Sequence, residues 1–132
     1  MIRALLVLGF AAFLAGAPAH AQAPAPRVAL IIGNAAYTSA PGIATAAADA
    51  TIVAETMRTA GYDVTEVQDL VAANFGQTIR AFLDKVYAAG PEVVAFIYFG
   101  GYGAQFDGEN YLVPVDARIA RYAEVQIGRA HV

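Results

Sequence analysis

Apolar and polar positions along the chain fall into blocks that alternate between two periods. Arg27–Asn34 (Arg-Val-Ala-Leu-Ile-Ile-Gly-Asn) is a short continuous apolar run closed by Gly-Asn. That is the pattern of a strand buried on both faces. Tyr37–Ile43 holds Pro41-Gly42 and reads as a loop. Thr45–Ala60 places Ala50, Val53, Ala54 and Met57 at helical spacing, and Gly61 stops it. Asp63–Val67 alternates as a strand. A second helix follows, with Asn74 as its N-cap and Gln77 in the capping-box position. Its apolar stripe is Phe75, Ile79, Phe82, Leu83 and Val86, and Gly90-Pro91 ends it. Val93–Phe99 is apolar on both faces and predicts a central, buried strand. If no further strand follows, its outer side becomes an apolar edge of the kind that aggregates. Ala104–Phe106 and Tyr111–Val115 flank Asp107-Gly108-Glu109-Asn110, a hairpin signal. Strand, helix, strand, helix, strand is the order of a parallel α/β sheet with right-handed crossovers. Tyr37, Tyr87, Tyr98 and Tyr111 read as core or rim aromatics.

The two ends change this picture. The chain has 132 residues and is 58% hydrophobic, but part of that is not fold. Residues 1–21 open Met-Ile-Arg, continue as the apolar run Ala4–Ala17 and finish Ala19-His20-Ala21. A charged start, an apolar centre and an A-x-A site make a secretory signal peptide. The apolar run of about 14 residues falls short of the ~20 a membrane span needs. The expectation is an exported protein, periplasmic or secreted, with no membrane attachment after cleavage. Gln22–Pro26 is a Pro/Ala linker, and the folded domain is expected over residues 27–125. Residues 126–132 read as a tail of another origin. Ile127–Val132 is what the codons ATC GGA AGA GCA CAC GTC encode, a common short-read sequencing adapter. The AG that precedes it demands Lys, Gln, Glu or a stop at position 126, where Gln126 stands. On that reading the domain is incomplete at its C-terminus.

Charge and composition exclude some functions. Loss of residues 1–21 takes Arg3 from the 8 Lys and Arg, leaving seven basic against 11 acidic side chains, a net charge near −4. A nucleic-acid surface needs a basic patch, which this balance does not supply. With no cysteine there is no disulfide framework and no thiolate metal site. Gly101-Tyr102-Gly103 could suggest a nucleotide loop. A Rossmann fingerprint, however, needs G-x-G-x-x-G leading into a helix, and here the glycines lead into a hairpin and the third is missing. No metal or cofactor is implied. Asp107 and Asp116 read as turn residues.

Functional sites of open α/β sheets lie at the carboxyl ends of strands. Two such ends are marked, Gly33-Asn34 and Gly100–Gly103. Around them the sequence resembles the caspase-like cysteine peptidases: caspases, metacaspases and their bacterial relatives. Arg27–Asn34 with Tyr37 is similar to the family's opening Arg-Val-Ala-Leu-Val-Ile-Gly-Asn-x-x-Tyr. Pro41, Ile43, Asp49 and Ala50 fit its Pro-x-Leu…Asn-Asp-Ala segment, and Gly61-Tyr62-Asp63-Val64 its Gly-Phe-x-Val. Tyr98, Gly101, Gly103 and Gln105 fit the strand carrying the catalytic histidine, and Asp107–Ala117 the hairpin after it. The resemblance covers about residues 27–117 and implies a three-layer α/β fold with a mostly parallel sheet.

The resemblance also implies a mechanism. A thiolate attacks the scissile carbonyl, a histidine transfers protons, and two backbone N–H groups hold the oxyanion. Gly103 occupies the position of one of those N–H donors. Tyr102 stands at the histidine position, in a family motif that runs Tyr-Ser-Gly-His-Gly. Asp49 matches an acidic residue lining the pocket that takes Arg or Lys in metacaspase-like members. Ala48 and Gly100 depart from the Asn and the Ser or Ala usual beside it. Two readings of Tyr102 stay open: an acid or hydrogen-bond donor in a rewired site, or the mark of a degenerate site that binds a peptide or protein. The competing class is an active cysteine endopeptidase whose nucleophile lies in further C-terminal sequence.

Overall fold

The computed structural model of the chain describes residues 23–118. The leader over 1–21 and the tail over 126–132 lie outside them. The described elements are β1 (Arg27–Gly33), α1 (Ala46–Thr59), β2 (Asp63–Gln68), α2 (Ala72–Ala89), β3 (Val94–Gly100), β4 (Gly103–Phe106) and β5 (Glu109–Leu112). β1 pairs in parallel with β2 on one side and β3 on the other, so the sheet order is β2-β1-β3. β4 and β5 form a separate antiparallel hairpin. The fold is α/β with a parallel sheet, as the sequence pattern predicts.

That order explains the layers. The first crossover runs from β1 to β2; the second returns past β1 to β3. With both crossovers right-handed, their helices must cover opposite faces. β1 alternates accordingly. Val28, Leu30 and Ile32 cluster with Phe75 and Phe82 of α2. Ala29 and Ile31 cluster with Ala50 and Ala54 of α1. Leu30, Ile31 and Ile32 are fully buried, each stabilising the fold by roughly 1.5–3 kcal/mol. The α1 face is built of small residues because the helix lies close to the sheet: a Cβ on Gly33 would sit 2.6 Å from Ala50 Cβ and 2.8 Å from Ala46 O.

Helix α1 ends as the sequence predicts. Gly61 takes φ +83°, its N–H donates to Arg58 O, and Tyr62 N–H donates to Met57 O, both at 3.0 Å. This is the paired-bond ending that favours glycine. The hairpin turn is tighter than predicted, with Asp107 and Gly108 at φ 53° and 80°. Two successive positive φ values suit the twist of a two-residue hairpin, and Asp107 is a turn residue.

Three expectations are corrected. Asn74 is not the cap of α2. The helix starts at Ala72, Asn74 N–H donates to Val71 O inside the first turn, and no side chain of the segment caps it. Asp116 does that work from a distance, its Oδ1 accepting from Ala72 N–H at 2.8 Å. Leu83 is not in the buried stripe; it is 40% exposed. Lys85 reaches across to Asp63 and Thr65 of β2, and Leu83, about 200° round the helix, points past the other side of the sheet. β3 is not buried on both faces: Val94 and Ile97 are 45% and 52% exposed. Among the described residues β3 has a neighbour only in β1.

Candidate functional site

The strand connections change direction between β1 and β3, and in sheets of this kind ligands bind outside the carboxyl ends of the strands at such a point. Asn34 and Gly100 are joined there, with Asn34 N–H donating to Gly100 O at 2.7 Å. Asn34 is 0% exposed. Its Oδ1 accepts from Leu70 N–H at 2.8 Å and its Nδ2 donates to Val113 O at 3.2 Å. One side chain thus joins the ends of β1, β2 and β5. Asp69, at φ 51°, accepts from both Ala35 and Ala36 N–H at 2.8 Å and fixes the loop leaving β1. Neither residue is free for chemistry.

Tyr102 follows directly on β3. Its N–H donates to Tyr37 Oη at 2.8 Å, and Tyr37 Oη in turn donates to Val113 O at 3.0 Å. The two rings meet edge to face with centroids 4.7 Å apart, a geometry that suits the ring quadrupoles. The Tyr102 hydroxyl donates to Pro41 O at 3.0 Å. The residue at the histidine position is therefore fixed at three points to the 37–41 loop. Gly101, just before it, is required by close approach: a Cβ there would fall 2.5 Å from Tyr37 Oη and 2.9 Å from the Phe99 ring.

Gly103 opens β4, opposite Leu112. It is exposed, and a Cβ would meet only Tyr111 O at 3.8 Å. Asp49 is exposed in the first turn of α1, its N–H donating to Thr45 O at 2.8 Å. No hydrogen bond or ion pair to its carboxylate occurs among the described residues. The same turn abuts the end of β3, because a Cβ on Gly100 would lie 3.5 Å from Ala46 O. Tyr102, Gly103 and the turn bearing Asp49 thus share the carboxyl end of the sheet. Among the described residues no group of three acidic, histidine or cysteine side chains is placed to hold a metal.

Tyr37, Pro41, Asn34 and Asp69 are the parts of this site that pattern reading misses or underrates. Tyr37 reads as a rim aromatic, but its hydroxyl links Tyr102 to Val113. The signal lay in the spacing Asn34-x-x-Tyr37 after a strand end, which carried the resemblance without a role.

A family model for the caspase domain matches residues 26–127. The chain belongs to the caspase-domain family. No curated protein matches it. The match spans every described element of the caspase domain here, including the β4–β5 hairpin. It also covers the carboxyl-end cluster of Asn34, Tyr37 and Tyr102.

Proposed function

We propose that this is an exported caspase-domain protein with a degenerate catalytic site, one that holds a peptide or protein segment rather than cleaving it. The observation that carries the reading is the hydrogen bond from the Tyr102 hydroxyl to Pro41 O. A catalytic histidine must exchange protons with a thiol and a leaving amine. Tyrosine ordinarily loses its proton near pH 10, histidine near 6.5. The Tyr102 proton is directed into a backbone carbonyl of the neighbouring loop, and its ring is packed on Tyr37. Gly103 remains available as an oxyanion N–H donor, a group that binds a carbonyl oxygen equally well without chemistry. The exposed carboxylate of Asp49 suits an Arg or Lys side chain of the bound segment. A cysteine endopeptidase completed by residues beyond this sequence is the competing reading, and family membership favours it.

Two measurements separate them, both on the protein together with any sequence that follows these residues. It should leave Arg-, Lys- and Asp-terminated peptide reporters unhydrolysed, because general acid–base transfer alone is worth ~10²–10⁴-fold. Arg-containing peptides should nevertheless bind, as read by fluorescence anisotropy. Asp49→Asn should weaken them roughly two- to fivefold, the range of an exposed ion pair. Hydrolysis by that unaltered longer protein would overturn the proposal. Arg peptides that bind no better than neutral ones would remove Asp49 from it.

A further inference from the structure

Tyr98 and the first turn of α1 meet over Gly100. A Cβ on Gly100 would lie 3.5 Å from Ala46 O, and 3.3 Å from both Cε1 and Oη of Tyr98. Tyr98 and Gly100 are two apart on β3 and so share a face of the sheet. It is the face that packs α1, because Tyr98 lies against the cluster of Ala29, Ile31, Ala50 and Ala54. The Tyr98 side chain therefore leans along its strand toward the carboxyl end and lays its hydroxyl over the glycine. A larger residue at position 100 would compete for that space. The tip of Tyr98 thus arrives at the turn that carries Asp49.

The flank of α1 that Asp49 occupies follows from its neighbours. Ala50 faces β1, packed on Ala29 and Ile31. Asp49 and Thr51 stand on either side of it, each about 100° round the helix. Thr51 turns to β2: its Oγ1 donates to Glu66 Oε1 at 2.9 Å and accepts from Gln68 Nε2 at 3.1 Å. Asp49 accordingly turns to the opposite flank. In the order β2-β1-β3 that is the β3 side. The exposed Asp49 carboxylate and the Tyr98 phenol therefore share one flank of α1 at one end of the sheet. β1, β3 and α1 alone make this juxtaposition, and it holds whatever sequence follows them.

We propose that Tyr98 is a specificity-determining residue of the carboxyl-end site. Its hydroxyl oxygen accepts a second hydrogen bond from a basic side chain held by Asp49, and so selects arginine over lysine. The proposal rests on the reading of Asp49 as the contact for that side chain. A guanidinium carries five N–H donors in a rigid planar fork. One edge can meet the carboxylate while another N–H meets a neutral oxygen beside it. A lysine ammonium is a compact, strongly hydrated point charge on a flexible stem. The carboxylate and water satisfy it, and the phenol adds little.

The test uses the protein together with any sequence that follows these residues. Two labelled peptides, alike except for a single Arg or Lys, are compared by fluorescence anisotropy. The unaltered protein should bind the Arg peptide more tightly. Tyr98→Phe keeps the ring in its cluster and removes only the hydroxyl. It should weaken the Arg peptide roughly three- to tenfold and leave the Lys peptide nearly unchanged. Gly100→Ser added to Tyr98→Phe returns a hydroxyl to the same place and should recover part of the preference for Arg. Asp49→Asn should weaken both peptides. Equal loss of both peptides in Tyr98→Phe, or no loss, overturns the proposal. A double variant that folds yet recovers nothing also overturns it, because ring packing then accounts for the effect. Should the double variant not fold, the Arg-to-Lys ratio of Tyr98→Phe decides alone. Asp49→Asn without effect on either peptide sinks the reading of Asp49 and this proposal with it. If the protein cleaves the peptides, the ratio of kcat/KM for Arg and Lys reporters takes the place of the affinity ratio. Selectivity is thus read separately from whether the segment is held or cut.

Discussion

Val113 O accepts two hydrogen bonds, from Asn34 Nδ2 and from Tyr37 Oη, and this redundancy makes a quantitative prediction. Asn34→Ala removes the acceptor of Leu70 N–H. Leu70 is 3% exposed, so its amide is left buried without a partner at a cost of about 1–3 kcal/mol. Val113 O still has Tyr37. Tyr37→Phe leaves Val113 O with Asn34 but strips the acceptor from Tyr102 N–H. Tyr102 is half-buried, water can partly replace the hydroxyl, and the cost is about 1 kcal/mol. In the double variant Val113 O, also buried, loses both donors at once. The pair should therefore be destabilising by about 1 kcal/mol more than the two single changes added together. Urea unfolding followed by far-UV circular dichroism measures all four corners of the cycle. Protein concentration is held fixed, because association couples stability to concentration. Additivity within about 0.3 kcal/mol would refute the shared-acceptor account.

Two further outcomes are expected. Arg58 and then Thr51, bonded to the Glu66 carboxylate at 2.9 Å each, hold its pKa below the ordinary value. A depressed carboxyl group stabilises the fold above its unfolded pKa of ~4.3 and loses that contribution as pH falls through its folded value. Glu66→Gln should thus cost about 0.2–1 kcal/mol at neutral pH, with the difference closing in acid; a gap constant from neutral pH down to pH ~3 would contradict this. Export predicts that the mature protein, recovered outside the cytoplasm, begins at Gln22 on N-terminal sequencing; Met1 retained in a membrane fraction would exclude cleavage.

What the sequence made legible is what depends on local pattern. Apolar runs marked β1 and β3, the 3.6-residue period marked both helices, and Gly61, Gly90 and Asp107-Gly108 marked their ends because each sits at positive φ. The misses share one cause. Asn74 looked like a cap because capping is normally local, yet the carboxylate that serves α2 comes from Asp116, 44 residues away. Leu83 fits a helical stripe, but whether a stripe position is buried depends on how far the sheet extends beneath it. Tyr102 was placed at the histidine position from its neighbours. Its bond to Pro41 O, 61 residues distant, has no local signature. A buried polar network is made of long-range pairs, and a single sequence offers nothing periodic by which to find them.

The hairpin has a consequence for the order of events in folding and opening. Among the described residues β4 and β5 pair only with each other. They are tied to the rest through the residues on either side: Tyr102 to Tyr37 and Pro41 before β4, and beyond β5 Val113 O to Asn34 and Tyr37, Val115 to Thr38 and Leu70, and Asp116 to Ala72. A hairpin with a two-residue turn forms on its own within about 1–10 μs. Its anchors, however, close loops to segments tens of residues earlier, and such contacts come late. The sheet must exist before the hairpin has anything to dock on. Segments held by a few long-range anchors open without global unfolding, so the hairpin should open before the sheet. Gly103 opens that hairpin, so its amide should exchange before those of the sheet. Amide exchange at Gly103–Leu112, measured against β1, reads that order directly.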